Sequence, residues 1–357
     1  MRYALDLAEK GRGRTSPNPM VGAVVVCGGR IVGEGYHRAP GKEHAEIAAI
    51  RMAGDHARGG TLYVNLEPCS HTGRTGPCTE TIIDAGIKRV VLSLKDPNPL
   101  VNGRGIRRLR KYGITVESGL LREEARRLND IYLGYHVNKR PYVILKLAQS
   151  LDGRIATTTG ASKWISSVPS RRFAHKLRAE VDAVVVGAGT VRRDNPTLTV
   201  RHVRGRDPYR IILSGSLDIP AGSRLLVNND DLKTVVATTG ISVNRLRGKG
   251  LKGSPILWTV KNSARGRLDL HDFVSKAGSF GLQSLLVEGG ASLATSFLRA
   301  GLVDKLVAIT APLVIGAGIN GLGDLGINEI SEAVRFDSAY TVRSGPDTIF
   351  TGYVSKG

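Results

Sequence analysis

Cysteine is scarce in this chain, with three among 357 residues. So few thiols exclude a disulfide framework of the kind that staples small secreted domains. Long apolar runs are also missing. No uninterrupted hydrophobic stretch is long enough to span a bilayer, so no membrane partner is expected. The opening residues, Met1-Arg2-Tyr3-Ala4-Leu5-Asp6, lack the apolar core of a signal peptide, and Asp6 and Glu9 interrupt them early. A cytoplasmic location is the expectation. Acidic residues are outnumbered, 31 against 51 basic ones, which leaves a net charge of +20. That balance permits nucleic-acid binding, but it equally suits small phosphorylated substrates and a phosphorylated cofactor. No arm or tail is built of basic residues alone. The cluster Arg104, Arg107, Arg108, Arg110 and Lys111 is interleaved with Ile106, Leu109 and Tyr112, and reads as a helix with a solvated basic face. Internal repeats and low-complexity tracts are absent.

What is present is the composition of a soluble globular protein, 41% hydrophobic and 23% charged. The length exceeds what one hydrophobic core usually fills, so two domains are expected. The pattern restarts near Asn138-Lys139-Arg140-Pro141, which sets residues 1–140 apart from 141–357. In the first part a short amphipathic helix, Arg2 to Lys10, precedes strands at Val21–Val26 and Ile31–Gly35 across a Gly28-Gly29 turn. A helix then opens at His44 and stops at Gly54. A strand at Leu62–Asn65, a helix from Cys78 to Gly86 and a strand at Val90–Leu94 follow, and the alternation continues through Ser118. A charged helix from Arg122 to Leu133 closes the unit. In the second part strands are expected at Tyr142–Ala148, Ala183–Gly187, Arg210–Leu213, Thr234–Ala237, Ile256–Val260, Ser284–Val287 and Lys305–Ile309. Helices are expected at Ser170–Val181 and Ser292–Ala300. Both parts are therefore α/β, with helices covering the sheets.

Two short runs carry the clearest chemistry: His44-Ala45-Glu46, and Pro68-Cys69 through Cys78. One imidazole and two thiols suit Zn²⁺, and three protein ligands leave the fourth tetrahedral position open, as in a catalytic site. Zinc lowers the pKa of bound water from ~15.7 toward ~7. Glu46 sits too close to His44 to be an obvious ligand, but it can carry protons to and from that water. The third cysteine, Cys27, beside Gly28 and Gly29, reads as inert. His-x-Glu followed by Pro-Cys and a second cysteine resembles the signature of zinc deaminases acting on nucleobases. Here eight residues separate the cysteines instead of two. They run Ser70-His71-Thr72-Gly73-Arg74-Thr75-Gly76-Pro77, a polar, basic loop suited to an anionic substrate. Asn18, in the turn before the first strand, is a further candidate for substrate contact.

The second part has no further zinc motif. Val287-Glu288-Gly289-Gly290-Ala291-Ser292 reads as strand, glycines and helix start, where free backbone N–H groups favour phosphate. Gly187-Ala188-Gly189-Thr190 is a second turn of that character. Neither completes G-x-G-x-x-G, so a Rossmann fingerprint is not supported.

With both parts read, the sequence resembles the bifunctional riboflavin-biosynthesis family, a fused pyrimidine deaminase and reductase, over essentially its whole length. The deaminase likeness is carried by Asn18-Pro19-Met20-Val21-Gly22, His44-Ala45-Glu46, Glu67 through Cys78 with its long inter-cysteine gap, and Asp96-Pro97-Asn98-Pro99. The reductase likeness is carried by Lys146 through Gly153, Ser162-Lys163-Trp164-Ile165, Asp194 through Arg201 and Val287-Glu288-Gly289-Gly290. The resemblance implies a cytidine-deaminase-like three-layer α/β/α first domain and a dihydrofolate-reductase-like α/β second domain using NADPH. It implies hydrolysis of the 2-amino group of 2,5-diamino-6-ribosylamino-4(3H)-pyrimidinone 5′-phosphate, then reduction of the product's ribosyl group to ribityl. Zinc would rest on His44, Cys69 and Cys78, and Glu46 would move the protons. Asn18, His71, Arg74 and Thr75 would hold the deaminase substrate, Arg74 by a forked contact to phosphate.

By the same resemblance Lys146, Ser162, Arg178, Leu198, Arg201 and Glu288 would line the reductase sugar-phosphate site. Ala148, Trp164, Thr190, Asp194, Gly290, Ala291, Ser292 and Leu293 would contact NADPH. Read alone, Lys146 is a strand residue and Trp164 a core aromatic. Leu213-Ser214-Gly215 departs from the family's usual Leu-Asp-Ser, so a serine contact to the cofactor is lost unless Ser214 or Ser216 supplies it. A homodimer or higher homo-oligomer is expected from the family, and nucleic acid is not expected as a partner. The rivals are a nucleic-acid deaminase, opposed by the wide cysteine spacing and the large second domain, and a non-catalytic zinc-stabilised binding protein, which leaves Glu46 without a purpose.

Overall fold

The computed structural model describes residues 1–72, 76–242, 253–263 and 267–356. They form two compact units, Met1–Lys139 and Arg140–Gly357. In the first, α1 (Arg2–Glu9) leads to β1 (Gly22–Cys27) and β2 (Arg30–Tyr36). Then come α2 (Ala45–Ala53), β3 (Thr61–Leu66), α3 (Cys78–Asp84), β4 (Arg89–Leu94), α4 (Arg104–Lys111), β5 (Thr115–Ser118), α5 (Arg122–Leu128) and α6 (Asp130–Asn138). The five strands make one sheet in the order β2-β1-β3-β4-β5. β1 is antiparallel to both neighbours, and β3, β4 and β5 are parallel.

Strand alternation splits the side chains between two faces. Ala23 and Val25 join Leu62, Val64, Val90 and Leu92 beneath α2 and α3, whereas Val24 meets α1 on the opposite face. The unit is thus three layers, α/β/α. A Cβ on Gly35 would lie 2.5 Å from the Ala45 carbonyl oxygen, so glycine is what lets α2 lie directly on β2.

The sequence pattern predicts one charged helix from Arg122 to Leu133, and the structure breaks it at Asn129. The Asn129 amide oxygen accepts the Met20 N–H at 2.8 Å and its nitrogen donates to the Met20 carbonyl at 2.8 Å. This two-way pairing, which a strand would otherwise supply, holds Asn129 at φ −109°, ψ 26°, off helical geometry.

The second unit contains β6 (Tyr142–Ser150), β7 (Arg154–Thr157), α7 (Val168–Glu180), β8 (Ala183–Gly187), α8 (Ala188–Asp194), β9 (Tyr209–Leu213), α9 (Arg224–Val227), β10 (Thr234–Thr238) and β11 (Ile256–Thr259). It continues with α10 (Leu270–Ser279), β12 (Ser284–Val287), α11 (Ala291–Arg299), β13 (Lys305–Ala311), β14 (Gly318–Asn320), β15 (Phe336–Ser344) and β16 (Asp347–Val354). A nine-stranded sheet runs β11-β10-β9-β8-β12-β6-β13-β16-β15. Its strands from β11 through β13 are parallel, and β16 and β15 close it antiparallel. Parallel strands are buried on both faces, which is why they read as unbroken apolar runs such as Ala183-Val184-Val185-Val186. Val143, Val185, Ile211, Val235 and Leu285 pack with Phe273 of α10 and Phe297 of α11. The C-terminal hairpin of β15 and β16 lies outside the strands that the sequence pattern predicts. β15 is largely exposed on both faces and carries little apolar alternation.

Candidate metal centre and reductase site

His44 is the N-cap of α2, Cys78 opens α3, and Cys69 follows β3 by way of Glu67 and Pro68. His44 Nδ1 lies 3.2 Å from Cys78 Sγ and 3.6 Å from Cys69 Sγ, and the three ligand atoms fall within 4.8 Å of one another. A tetrahedral zinc with bonds of about 2.0 Å to nitrogen and 2.3 Å to sulfur sets its ligand atoms roughly 3.5–3.8 Å apart. The donor set fits that ion by its protonation too. The Cys78 thiol's hydrogen bond, and then His44, hold Cys69 down to about 4, while the same bond and burial push Cys78 far up. Side by side the two sulfurs compete for protons, and a divalent cation satisfies both as thiolates. The Cys78 backbone N–H, 3.5 Å from Cys69 Sγ, adds a donor at the end of α3.

Glu46 stands in the first turn of α2, on the face that buries Ala45, Ala49, Ile50 and Ala53. It is 4% exposed. Burial, and then the Cys69 charge, push its carboxyl up to about 7, where a group both takes and gives protons readily. Asn18 is tied to the same place through His37, a buried residue that the sequence reading did not single out. His37 Nδ1 is 3.1 Å from the Glu43 carbonyl, which can only accept, so the proton is on Nδ1. Nε2 then accepts from Asn18 Nδ2 at 3.0 Å. This fixes the Asn18 amide with its oxygen as the acceptor left for a ligand. The His37 ring also meets the His44 ring edge-on, centroids 5.4 Å apart. His71 is half-buried, and its buried Nδ1 has no hydrogen-bond partner among the described residues. Arg74 and Thr75 lie outside the described residues.

The turn bearing Cys69 is braced by Glu67, which the motif contains but the sequence reading gives no role. Its buried carboxylate accepts N–H groups of Asp96, Gly103 and Ile106 at 3.2, 2.9 and 3.1 Å. It thereby caps α4 and joins the Asp96-Pro97-Asn98-Pro99 loop to the metal turn. α4 rests so close that a Cβ on Gly105 would lie 2.0 Å from the Pro68 carbonyl oxygen. Asp96 accepts the Tyr132 hydroxyl at 3.1 Å, and burial pushes its carboxyl up to about 6.

In the second unit, Glu288 follows β12 and meets Arg178 of α7 in a forked pair, Nε–Oε1 2.7 Å and Nη2–Oε2 2.8 Å. Lys146 of β6 approaches the same carboxylate at 3.9 Å. Burial alone would push Glu288 up, but Arg178 and then Lys146 hold it down to about 2, and burial lowers Lys146. Arg178 Nη1 also donates to the Thr199 carbonyl at 3.3 Å. The Arg201 guanidinium donates to the Thr197 and Thr199 hydroxyls. Leu198 between them is buried at φ 55°, in the left-handed region. Lys146, Arg178, Arg201 and Glu288 thus come together. Ser162 is half-buried on the β7–α7 connection.

The cofactor candidates stand largely at the C-terminal ends of three adjacent parallel strands, β8, β12 and β6. Thr190 is in the first turn of α8, Ala291, Ser292 and Leu293 open α11 after Gly290, and Ala148 is near the end of β6. Ligands of open parallel sheets bind at such ends. Gly187 to Thr190 is strand end and helix start rather than a free turn. Asp194 is exposed at the far end of α8. Trp164 is 70% exposed, with the Arg171 guanidinium 4.4 Å from its ring centroid, so it is not a core aromatic. Ser214 is buried with its hydroxyl unpartnered among the described residues, while Ser216 is exposed.

Comparison with known proteins agrees with this geometry. Residues 1–94 match the cytidine and deoxycytidylate deaminase zinc-binding region, and residues 141–350 match the RibD C-terminal domain. The riboflavin biosynthesis protein RibD of Aquifex aeolicus is 45% identical over 98% of this chain and 96% of its own. That of Escherichia coli is 40% identical over 97% and 96%. Among solved structures, Acinetobacter baumannii RibD superposes with a TM-score of 0.86 at 33% identity, covering 99% of this chain and 98% of that one. A Thermotoga maritima protein, titled a diaminohydroxyphosphoribosylaminopyrimidine deaminase/5-amino-6-(5-phosphoribosylamino)uracil reductase, gives 0.86 at 35% identity, covering 99% and 97%. A cytidine-deaminase-like unit followed by a dihydrofolate-reductase-like one, matched end to end by these relatives, makes this chain a member of the RibD family of riboflavin biosynthesis proteins.

Proposed function

We propose that the chain carries out two consecutive steps on a phosphorylated pyrimidine, with residues 1–140 as the deaminase and 141–357 as the reductase. It is a zinc-dependent deaminase fused to an NADPH-dependent reductase of riboflavin biosynthesis. The first step removes the 2-amino group of 2,5-diamino-6-ribosylamino-4(3H)-pyrimidinone 5′-phosphate by hydrolysis. The second reduces the ribosyl group of that product to ribityl. The observation that carries this reading is the convergence of His44, Cys69 and Cys78 beside a buried Glu46.

When bound, zinc supplies a water acidified toward neutral pH and NADPH supplies the reducing equivalent. His44, Cys69 and Cys78 would hold the metal. Glu46 takes the proton of the attacking water and delivers it to the departing amine, which leaves as ammonia. Asn18 presents its amide oxygen to the substrate, and His71, Arg74 and Thr75 hold the phosphate end. In the second unit Lys146, Arg178 and Arg201 meet the sugar phosphate, with Ser162, Leu198 and Glu288 shaping that pocket. Ala148, Trp164, Thr190, Asp194, Gly290, Ala291, Ser292 and Leu293 receive the cofactor.

We place the protein in the cytoplasm as a homodimer or higher homo-oligomer that binds no nucleic acid. No described helix is long and apolar enough to cross a membrane. Light scattering after gel filtration tests the assembly. The function is tested by incubating purified protein with the diaminopyrimidinone ribotide, with and without NADPH, followed by mass analysis. Without NADPH the product exchanges an amino group for oxygen, and with it the product also gains two hydrogens. An unchanged substrate in both arms contradicts the proposal.

A further inference from the structure

Helix α7 turns two side chains of adjacent turns, His175 and Arg178, toward the same piece of chain, the segment from Thr197 to Arg201. Arg178 donates to the Thr199 carbonyl at 3.3 Å, and the Arg201 backbone N–H donates to His175 Nδ1 at 3.0 Å. The helix thus grips the segment by a carbonyl and by an N–H two residues further on. A backbone N–H can only donate, so Nδ1 is the acceptor and the ring proton sits on Nε2. The ring is 6% exposed. His202 meets it edge-on, centroids 4.9 Å apart. Burial and the charges of Arg178, Arg201 and His202 push its pKa down to about 4, against a smaller opposing pull from Glu288.

The consequence falls on Arg201. Among the described residues its guanidinium is braced only by the Thr197 and Thr199 hydroxyls, and no carboxylate lies within ion-pair distance of it. Lys146 and Arg178, in contrast, share Glu288. With a neutral His175, three cations and one carboxylate leave two positive charges, the complement of a phosphate monoester dianion.

We propose that His175 is a positioning residue of the reductase, holding the Arg201 backbone N–H so that the Arg201 guanidinium is aimed at the substrate's phosphate. This rests on the reading above that Arg201 belongs to the sugar-phosphate subsite. The geometry also states which substitute can replace it. An asparagine carries its amide oxygen where Nδ1 stands, whereas a glutamine places its polar atoms where Nε2 stands.

The test compares His175→Ala, His175→Asn, His175→Gln, Arg201→Ala and the His175→Ala/Arg201→Ala pair. Reductase KM and kcat are measured on the deaminated ribotide and on its dephosphorylated nucleoside. Tryptophan fluorescence during urea unfolding checks the fold of each variant. Losing one charge-assisted contact raises KM for the ribotide about tenfold in Arg201→Ala. His175→Ala and His175→Gln should match that increase with kcat little changed, and His175→Asn should stay near wild type. The nucleoside should be insensitive to all of them, and the double variant should be no worse than Arg201→Ala. Equal behaviour of Asn and Gln, full additivity in the double variant, or an equal loss on the nucleoside overturns the proposal. If Arg201→Ala raises the ribotide KM and His175→Ala does not, only the role of His175 falls. If Arg201→Ala leaves that KM unchanged, the phosphate reading of Arg201 falls, and this inference with it.

Discussion

Arg178 and Glu288, 110 positions apart in sequence, meet as a forked ion pair at 2.7 and 2.8 Å with side chains only 13% and 7% exposed. Removing one partner strands a buried charge, which costs about 3–5 kcal/mol. Arg178→Leu should therefore lower the stability of the second unit by about that amount and abolish the reductase while sparing the deaminase. Both tryptophans, Trp164 and Trp258, lie in that unit, so urea unfolding followed by tryptophan fluorescence reads it selectively. A loss below about 1 kcal/mol would contradict the buried pair.

Acid should weaken the same unit through two groups in different windows. Glu288 has a folded pKa of about 2, below that of an unfolded glutamate. Its contribution is complete above ~4.3 and fades as pH falls from there toward its folded value. His175 has a folded pKa of about 4, also below its unfolded value. The unfolded chain takes up that proton first, so stability falls as pH drops from ~6.5 toward the folded value and then levels. Besides Glu288, the main charged or titratable groups acting on His175 among the described residues are Arg178, Arg201 and His202. Unfolding free energy measured against pH should lose its upper limb in His175→Asn and its lower limb in Glu288→Gln. Retention of the upper limb in His175→Asn would contradict this assignment.

Glu67→Ala should destabilise the first unit by about 2–4 kcal/mol, since three N–H groups lose a charged acceptor and no water replaces it easily. Hydrogen exchange should then accelerate at Asp96, Gly103 and Ile106 in particular, the donors that Glu67 now satisfies. Unchanged exchange at those amides would show that the cap is not held by this carboxylate.

Much of this was legible from residue types alone. A β-branched run such as Val24-Val25-Val26 and buried parallel strands such as Ala183–Gly187 announce themselves, because burial on both faces demands unbroken apolar side chains. The convergence of His44, Cys69 and Cys78 was legible because thiols and an imidazole are rare and their order is telling. What could not be read were roles set by distant partners. Asn129 looks like any helix residue until its amide pairs with Met20, 109 positions away. His37 and His175 are single histidines whose meaning comes from the carbonyl or N–H they face. Glu67 lies inside the cysteine motif, yet its function as a cap depends on α4 arriving over Pro68.

Cys69→Ser and Cys78→Ser should each lose zinc and with it ammonia release, while NADPH oxidation on pre-deaminated substrate continues. A thiolate that becomes an alcohol leaves the cation a far poorer donor, so the affinity drop should be at least about tenfold. Metal content by elemental analysis, read beside both activities, checks this. Wild-type zinc content in either variant would remove that sulfur from the ligand set.

The most direct measurement concerns Glu46, the buried acid of α2 that we propose moves protons beside His44, Cys69 and Cys78. Glu46→Gln should keep its zinc and lower ammonia release by about 10²–10⁴-fold, as expected for loss of a general acid–base. The same preparation should oxidise NADPH at the wild-type rate on pre-deaminated substrate. Undiminished ammonia release, or an equal loss of both activities, would contradict a proton-carrying Glu46 in a deaminase site separate from the reductase.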